Sequence, residues 1–377
     1  MNTLTEFIKS EIRAKGRITF SEFMEHALYH PELGYYTSGK TRIGKRGDYY
    51  TSPCIASEFG EVLAGFIAKA GPLIDGDGLK IVEFGAARGL LASDILDAIK
   101  RGSPELYSEI TYYVIEKSAR NLKQAEETIK NHIARIKFLS SISEIDSQGA
   151  DGVILSNELV DAFPFHRAKF AGGALREIFV SLKDGEFAET LDEPSAKELD
   201  EYFDGYGLHF REGQEVEINL NAARWLGQAQ NILRKGFILT IDYGYLASEL
   251  YSPERMKGTF KCLHKHTTNE NPYVNIGEQD ITAHVDFSNL IRAGETFGLK
   301  KVKYTTQGQF LIDWGILDIM MREPGKLEDN KNMAIKNLFL PGSMGNSFKI
   351  LLQKKNIDET DESLYPESPL KVSFGIV

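Results

Sequence analysis

The apolar residues from position 80 onward alternate between short continuous runs and longer stretches in which they recur every three or four positions. The first pattern is typical of buried strands and the second of amphipathic helices. The runs predict strands at 80–84, 110–115, 136–139, 152–155 and 236–241, and the stretches predict helices at 89–101, 119–134, 159–163 and 221–234. Because alternating strands and helices form βαβ units, we predict an α/β fold with a doubly wound, Rossmann-like parallel sheet.

Both ends of the chain extend this pattern. Apolar residues at helical spacing predict two short packing helices within residues 1–30. A helix at 286–297 and strands at 299–304 and 347–352 are expected to complete the sheet late in the chain.

Residues 34–53 and 166–220 interrupt the alternation. The first segment is rich in glycine, basic residues and tyrosine, which predicts a long loop and favours an ordered lid over a flexible linker. The second predicts hairpin strands at 167–170 and 176–182, followed by twelve acidic against three basic residues between positions 183 and 217. We interpret this acidic segment either as a solvated surface or as a docking face for a basic partner.

The charge of the chain argues against a nucleic-acid substrate. The 54 Asp and Glu residues exceed the 44 Lys and Arg residues, which leaves a net charge of −10. No positive field over the whole molecule is therefore expected to hold a phosphate backbone. Hydrophobic residues make up 42% of the chain, which excludes a mainly disordered protein.

The cysteines and the N-terminal residues bear on the compartment. Cys54 and Cys262 form neither a CxxC pair nor a disulfide framework, which favours a reducing compartment. The first 30 residues carry acids and no continuous apolar run, which argues against an export or transit signal. Apolar runs are far shorter than the roughly 20 residues that span a bilayer. We therefore expect a cytoplasmic protein that does not insert into membranes.

The first predicted strand ends in a turn of small residues that opens a helix, and ligands of doubly wound sheets bind at this edge. A dinucleotide fingerprint needs three glycines here, and the chain has only the first. A methyltransferase pattern needs an acid followed by three alternate glycines, and Glu83, Gly85 and Gly89 meet it, with Ala87 at the fourth position. The turn therefore favours S-adenosylmethionine over a dinucleotide, with these four residues at the cofactor.

Glu116 closes the next predicted strand. A carboxylate at that strand end is suited to accept hydrogen bonds from both ribose hydroxyls of the cofactor. An acid at a strand end is often only solvated, so the residue alone is a weak signal. Its position at the βα turn next to the small-residue turn strengthens the assignment to S-adenosylmethionine.

Asn157, Glu158 and Asp161 follow the fourth predicted strand, beside the cofactor turn. Asn157 and Glu158 are expected to point toward the transferring methyl group. If a helical turn begins at Glu158, Asp161 lies on the same face, and two carboxylates suit a guanidinium. In the alternative interpretation Asn157 or Asp161 only caps a helix. Because the pKa of arginine exceeds about 12, its proton is expected to leave during or after transfer, to a carboxylate or to His266.

Many stretches spaced along the chain match the motifs of one known enzyme family. They are His30-Pro31, Gly34-Tyr35-Tyr36, Gly47-Asp48-Tyr49, Thr51-Ser52-Pro53, Phe59-Gly60-Glu61, Glu83 to Gly89, Asn157-Glu158, Asp161-Ala162, Pro164, Asp242-Tyr243-Gly244, Lys265-His266, Gly277 to Phe287 and Met344-Gly345. In these stretches the chain resembles the MidA-type methyltransferases, whose mitochondrial member is a complex I assembly factor that methylates an arginine. The resemblance covers roughly residues 30–352.

The resemblance implies a protein-arginine methyltransferase whose partner is a protein, with respiratory-complex subunits as candidates. It also implies that a loop containing Gly47, Asp48, Thr51 and Ser52 folds over the cofactor, in agreement with the lid. The family usually has Gly-Pro-Gly-Arg-Gly where this chain has Ala87 at the central position, and this departure bears on cofactor affinity.

Other functions remain alternatives at this point. The chain is compatible with an assembly or chaperone-like factor that binds the cofactor without catalysis, and less so with a small-molecule methyltransferase. His284 is as consistent with a structural role as with a catalytic one. No metal site is predicted, because the histidines do not lie at metal-ligand spacing with cysteine.

We predict five parts along the chain. They are the N-terminal helices and lid (1–53), the cofactor-binding core (54–165), an inserted α+β substrate or partner subdomain (166–220), the remainder of the methyltransferase core (221–355) and an acidic tail (356–377).

Overall fold

The protein is described by a computed structural model over residues 3–38, 52–74, 78–145, 149–322 and 330–358. The chain divides into two compact units. The N-terminal unit comprises the described residues within 1–49, 160–225 and 244–292, and the central-sheet unit those within 50–159, 226–243 and 293–377. The finer five-part division stays a prediction.

The helices, in chain order, are α1 (Thr3–Lys15), α2 (Phe20–Tyr29), α3 (Ser52–Ile55), α4 (Glu58–Ile74), α5 (Leu90–Gly102), α6 (Pro104–Glu109), α7 (Ala119–Thr128), α8 (Lys197–Asp200), α9 (Leu220–Ile232), α10 (Ala247–Leu250), α11 (Phe287–Thr296), α12 (Gln307–Asp313), α13 (Ile316–Met321), α14 (Asn330–Phe339) and α15 (Met344–Ser347). Short 3-10 helices cover Lys130–Arg135 and Ile142–Glu144.

The strands are β1 (Ile18–Thr19), β2 (Lys80–Phe84), β3 (Thr111–Ile115), β4 (Ile136–Leu139), β5 (Ala150–Asn157), β6 (His166–Ala171), β7 (Ala174–Lys183), β8 (Glu186–Asp192), β9 (Glu215–Ile218), β10 (Leu233–Tyr245), β11 (Lys261–His264), β12 (Thr267–Asn269), β13 (Asp280–Thr282), β14 (Val285–Asp286), β15 (Lys300–Thr306) and β16 (Phe348–Lys355).

A mixed sheet forms the middle of the central-sheet unit, with the strand order β15-β16-β10-β5-β2-β3-β4. The strands from β10 to β4 are parallel to their neighbours. Strand β16 runs antiparallel to both β10 and β15. The doubly wound parallel core predicted from the sequence is confirmed, and the antiparallel pair is added at one edge.

The parallel strands of this sheet are apolar because both of their faces are covered. Ile81 and Val82 of β2, whose side chains point to opposite faces, are both fully buried. One face packs in a single apolar cluster with Phe59 and Phe66 of α4 and with Ile95 of α5. This packing fixes the strand ends that carry the candidate site.

The N-terminal unit contains two separate sheets, with the strand orders β1-β7-β6-β9, where β8 also pairs with β7, and β12-β11-β13. Helix α2 begins with a capping box, in which Thr19 and Glu22 each accept a hydrogen bond from the other's backbone N–H. Phe20 and Phe23 of α2 pack with Phe165 in the core of this unit. The predicted hairpin is confirmed as β6 and β7.

Much of the acidic segment at 183–217 is neutralised within the N-terminal unit itself. The ion pairs join Arg17 to Asp192, Arg167 to Glu189 and Glu215, Arg176 to Glu193, Lys9 to Glu186 and Lys197 to Glu201. A surface whose acids are paired in this way presents less negative charge to a partner than its composition indicates.

One predicted helix is absent, and one observed helix was not predicted. The helix predicted at 159–163 is absent, since β5 extends to Asn157 and the following residues form bends and turns. Helix α4 was not predicted, because it is buried on most of its circumference and lacks the polar stripe by which amphipathic helices are recognised.

Candidate functional site

In the turn between β2 and α5, every second residue has a left-handed backbone conformation. Gly85, Ala87 and Gly89 have φ angles of +70°, +47° and +74°. A Cβ atom on Gly85 would lie 2.8 Å from Cδ1 of Leu159, and one on Gly89 would lie 2.6 Å from Cδ1 of Ile129. The left-handed backbone therefore favours glycine at both positions, and the side chains of Leu159 and Ile129 would have to move to admit a Cβ atom.

Ala87 takes a conformation in which an alanine costs about 1–2 kcal/mol because of its Cβ atom. Ala87→Gly should relieve this strain, offset by about 0.4–1 kcal/mol of greater entropy in the unfolded chain. We expect a net gain of about 0.5–1 kcal/mol in the free energy of unfolding, measured by urea denaturation. Ala92→Gly, at a fully buried position in the first turn of α5, is the control and should destabilise. A destabilised Ala87→Gly protein would contradict the assigned strain.

Glu116 braces this turn from the end of β3. Its Oε2 accepts a hydrogen bond of 3.0 Å from the N–H of Ala87, and its Oε1 accepts one of 2.8 Å from the N–H of Ser118. Burial raises the pKa of its carboxyl, against the lowering effect of these donors. Because a carboxylate offers about four acceptor positions, Glu116 has capacity for the ribose hydroxyls predicted from the sequence.

Glu116→Ala should weaken S-adenosylmethionine binding by roughly 1.5–3 kcal/mol, since it removes charge-assisted acceptors and the support of the Ala87 N–H. Isothermal titration of the cofactor measures this change. Glu126→Ala, on the exposed side of α7, is the control and should leave the Kd as in the wild type. An unchanged Kd in Glu116→Ala would place the cofactor elsewhere.

Glu83 is buried directly before the turn and is 3% exposed. Its Oε2 accepts a hydrogen bond of 2.8 Å from the hydroxyl of Tyr112 on β3. Burial raises the pKa of Glu83 to about 7, with smaller contributions from the charges of Glu116 and Asp94. The residue is thus poised between its neutral and charged forms at neutral pH, where it is suited to meet the polar end of a ligand.

Glu158 stands at the end of β5 in a left-handed conformation with a φ of +52°. Its N–H donates to the carbonyl of Ile241 on β10, which prolongs the pairing of the two strands. The helical turn predicted from Glu158 is therefore wrong, because the backbone continues from the strand into a bend. A bulky residue with positive φ is strained, and strain of this kind clusters at functional sites.

The carboxylate of Glu158 is held by two donors. Its Oε1 accepts hydrogen bonds of 3.2 Å from the N–H of Ser52 and of 3.2 Å from Nδ2 of Asn157. The Oδ1 of Asn157 is buried and accepts no hydrogen bond from the described residues. The Oγ atom of Ser156 and the Oγ1 atom of Thr240, on paired positions of β5 and β10, are also buried and have no hydrogen-bond partner among the described residues. Of these atoms, the Oδ1 of Asn157 lies at the end of its strand, and a buried acceptor there fits a polar ligand that supplies a donor.

Ser52 is fully buried at the start of α3, and its hydroxyl donates to Oε1 of Gln307 at 3.3 Å. Of the lid residues predicted to contact the cofactor, Gly47, Asp48 and Thr51 lie outside the described residues. Ser52 is thus the one predicted lid contact that is placed, and it is bound to protein groups.

Asp161 and His266 belong to the N-terminal unit. Asp161 lies in a turn, is 8% exposed, and accepts a hydrogen bond of 2.8 Å on Oδ2 from the hydroxyl of Thr282. The pairing of Asp161 with Glu158 on one helical face does not form, because no helix follows β5. His266 and Lys265 form the two-residue turn between β11 and β12, and both have positive φ, +61° and +49°.

Two residues that contribute to the candidate site were not predicted from the sequence. Tyr112 reads as an ordinary strand residue, and Gln307 follows Ser52 by 255 positions, so no local spacing connects either one with the site. Arg88, within the motif but without a predicted role, donates to Sγ of Cys54 on α3 at 3.5 Å.

Within the described ranges, no group of three or more His, Cys, Asp and Glu side chains is arranged to hold a metal ion. None of the helices in these ranges combines the length and the apolar composition that spanning a bilayer requires.

Comparison with known proteins identifies related sequences and structures. The sequence profile of a family described as "Putative S-adenosyl-L-methionine-dependent methyltransferase" matches residues 62–305. The chain is 27% identical to a mitochondrial protein arginine methyltransferase NDUFAF7 homolog of Caenorhabditis elegans, over 92% of this chain and 85% of that protein. It is 26% identical to the human mitochondrial protein arginine methyltransferase NDUFAF7, over 93% of this chain and 80% of that protein.

A solved structure from Burkholderia thailandensis, described as a "likely methyl transferase" bound to S-adenosyl-homocysteine, is similar over 94% of this chain and 92% of that chain. The TM-score is 0.85 and the sequence identity 30%. A second structure from the same organism gives a TM-score of 0.83 at 29% identity. These similarities confirm the predicted fold class and the assignment of S-adenosylmethionine as the cofactor.

The relatives correct one expectation. They are named as mitochondrial proteins, so the cytoplasmic location expected from the sequence is wrong. The error arose because a reducing compartment was equated with the cytoplasm, and two unpatterned cysteines do not distinguish between reducing compartments.

Proposed function

Because the chain belongs to the S-adenosyl-L-methionine-dependent methyltransferase family whose profile matches residues 62–305, we propose that it transfers a methyl group to an arginine side chain of a protein partner. The relatives named as protein arginine methyltransferases support this substrate class. The observation that carries the proposal is the position of Glu158. Its backbone is strained at the end of a strand, and its carboxylate is held in place by two donors. The names of the relatives also favour a mitochondrial location.

The residues of the central-sheet unit fit the cofactor. Glu83, the turn from Gly85 to Gly89, Glu116 and Asn157 would hold it, with the buried Oδ1 of Asn157 as an acceptor in need of a donor. When bound, S-adenosylmethionine supplies a methyl group on a positively charged sulfur. The protein's part is to position the nucleophile and to accept its proton.

Glu158 is proposed to orient the guanidinium. Arginine presents a planar fork of N–H donors that matches a carboxylate with two parallel hydrogen bonds. Because the donors from Ser52 and Asn157 restrict the rotation of the carboxylate, they also define the plane in which a guanidinium is held. Alignment of this kind is a large part of the catalysis of a displacement reaction.

For the N-terminal unit, we propose functional roles for Asp161 as a carboxylate and for His266 as a proton acceptor. The two-residue turn at Lys265 and His266 supports a functional role, because hairpins of this length prefer Asn-Gly and similar pairs at positions with positive φ. A turn that keeps two long side chains in this conformation is strained, and strain points to function.

The proposal is tested by incubating the protein with S-adenosylmethionine labelled on the methyl group and an extract of mitochondria, the source of the candidate respiratory-complex subunits. Hydrolysis of the labelled proteins should yield methylated arginine, and the Glu158→Gln protein should form it about 100-fold more slowly. A protein that binds cofactor but labels no arginine would instead be a binding factor, and label in small molecules alone would indicate a small-molecule methyltransferase.

A further inference from the structure

A buried chain of hydrogen bonds connects helix α12 with Glu158. Gln307, the first residue of α12, accepts on Oε1 a hydrogen bond of 3.3 Å from the hydroxyl of Ser52. The backbone N–H of Ser52 in turn donates to Oε1 of Glu158 at 3.2 Å. Gln307 and Ser52 are both fully buried, so water does not compete for the bond between their side chains, whereas Glu158 at the other end is half-buried.

The orientation of the Gln307 amide is determined by its other end. Its Nε2 donates to the carbonyl of Leu338 on α14 at 2.9 Å, so its Oε1 faces Ser52. The surrounding backbone is tightly packed, since a Cβ atom on Gly308 would lie 2.4 Å from the carbonyl oxygen of Phe339. The acceptor that meets Ser52 is therefore held by two helices.

We propose that Gln307 is a positioning residue for methyl transfer, which acts on Glu158 through Ser52. By accepting from the hydroxyl of Ser52, Gln307 fixes the first residue of α3 so that its N–H stays directed at the carboxylate of Glu158. The inference rests on the proposed role of Glu158. It assigns to Ser52 a different role from the cofactor contact predicted from the sequence, since the hydroxyl is directed at Gln307 and the N–H at Glu158.

The test compares Gln307→Met, Ser52→Ala and the double variant. Methionine has nearly the shape of glutamine without its hydrogen-bonding groups, and alanine removes the hydroxyl of Ser52 but keeps its N–H. Gln309→Met is the control, because Gln309 lies on the same helix and bonds to Asp313 instead. Amide hydrogen exchange at residue 52, measured by NMR, reports the N–H bond to Glu158 without any client protein.

We expect exchange at residue 52 to become about tenfold faster in either single variant, and no faster in the double variant, because both changes break the same link. Turnover of a client protein that the wild type methylates should fall about tenfold. The KM for this client and the Kd for the cofactor should stay within twofold of the wild-type values. Gln309→Met should match the wild type in all four quantities.

Unchanged exchange at residue 52 in Gln307→Met, or additive effects in the double variant, would overturn the inference. A larger cofactor Kd in Ser52→Ala but not in Gln307→Met would also overturn the inference, because Ser52 would then contact the cofactor. Faster exchange with wild-type turnover per folded molecule would leave Gln307 a purely structural role. The failure of the wild type to methylate any arginine refutes the proposed function, whereas the exchange measurement decides separately whether Gln307 and Glu158 are coupled.

Discussion

Glu158→Gln should lower turnover by about 100-fold or more, while the Kd for S-adenosylmethionine stays close to that of the wild type. The substitution keeps the shape of the side chain but removes its negative charge and one acceptor. A guanidinium then loses a charge-assisted contact that is organised before the reaction, and losing one such contact typically costs about 10²–10³ in turnover. The hydrogen bonds from Ser52 and Asn157 that organise Glu158 are part of this effect.

Single-turnover kinetics on a client protein measure the rate of methyl transfer, and titration of the cofactor measures its Kd on the same variant. Glu105→Gln, on the exposed first turn of α6, is the matched control and should behave as the wild type. If Glu158 had only a local structural role, the variant would lose about 1 kcal/mol of stability and keep its turnover per folded molecule. That outcome would remove Glu158 from the proposed mechanism.

The stability of the protein should depend on pH through Glu83. Its pKa in the folded state is about 7, above the ordinary value of 4.5, so the folded protein binds more protons than the unfolded chain between these values. The contribution of Glu83 is therefore complete below about pH 4.5 and is lost as the pH rises through 7. A difference of this size corresponds to about 3 kcal/mol in the free energy of unfolding.

Glu83→Gln should remove this contribution, because a neutral amide does not titrate. Urea denaturation at pH 5 and pH 8 should show a fall in stability that is about 3 kcal/mol smaller in the variant than in the wild type. Asp94, whose pKa burial also raises to about 7, is present in both proteins and contributes a fall in stability to each of them. Parallel pH profiles for the two proteins would show that Glu83 does not change its charge in this range.

The parts of the fold that the sequence predicts are those in which one local pattern has one structural solution. The strands at 80–84 and 136–139 have the bounds predicted from their apolar runs, since a short apolar run between turn residues in this alternation forms a buried strand. The small-residue turn was predicted for the same reason, because its glycines are required wherever a strand leads tightly into a helix.

The remaining features depend on residues that are distant in the sequence. The spacing of Glu158 and Asp161 is compatible with a helix, but the bond from the N–H of Glu158 to Ile241 extends the strand instead. The contact of Gln307 with Ser52 depends on the packing of α12 and α14. The N-terminal unit is assembled from three separate segments, and no local signal indicates that they associate.

The turn at Lys265 and His266 has a consequence for engineering. A procedure that selects substitutions for thermostability alone would replace this pair with Asn-Gly, and relief of two left-handed side chains would raise the melting temperature. The same substitution would delete His266, the proposed proton acceptor, and the lysine beside it. Heat tolerance and activity are therefore expected to respond in opposite directions to this one change, and screening for the first would discard the second.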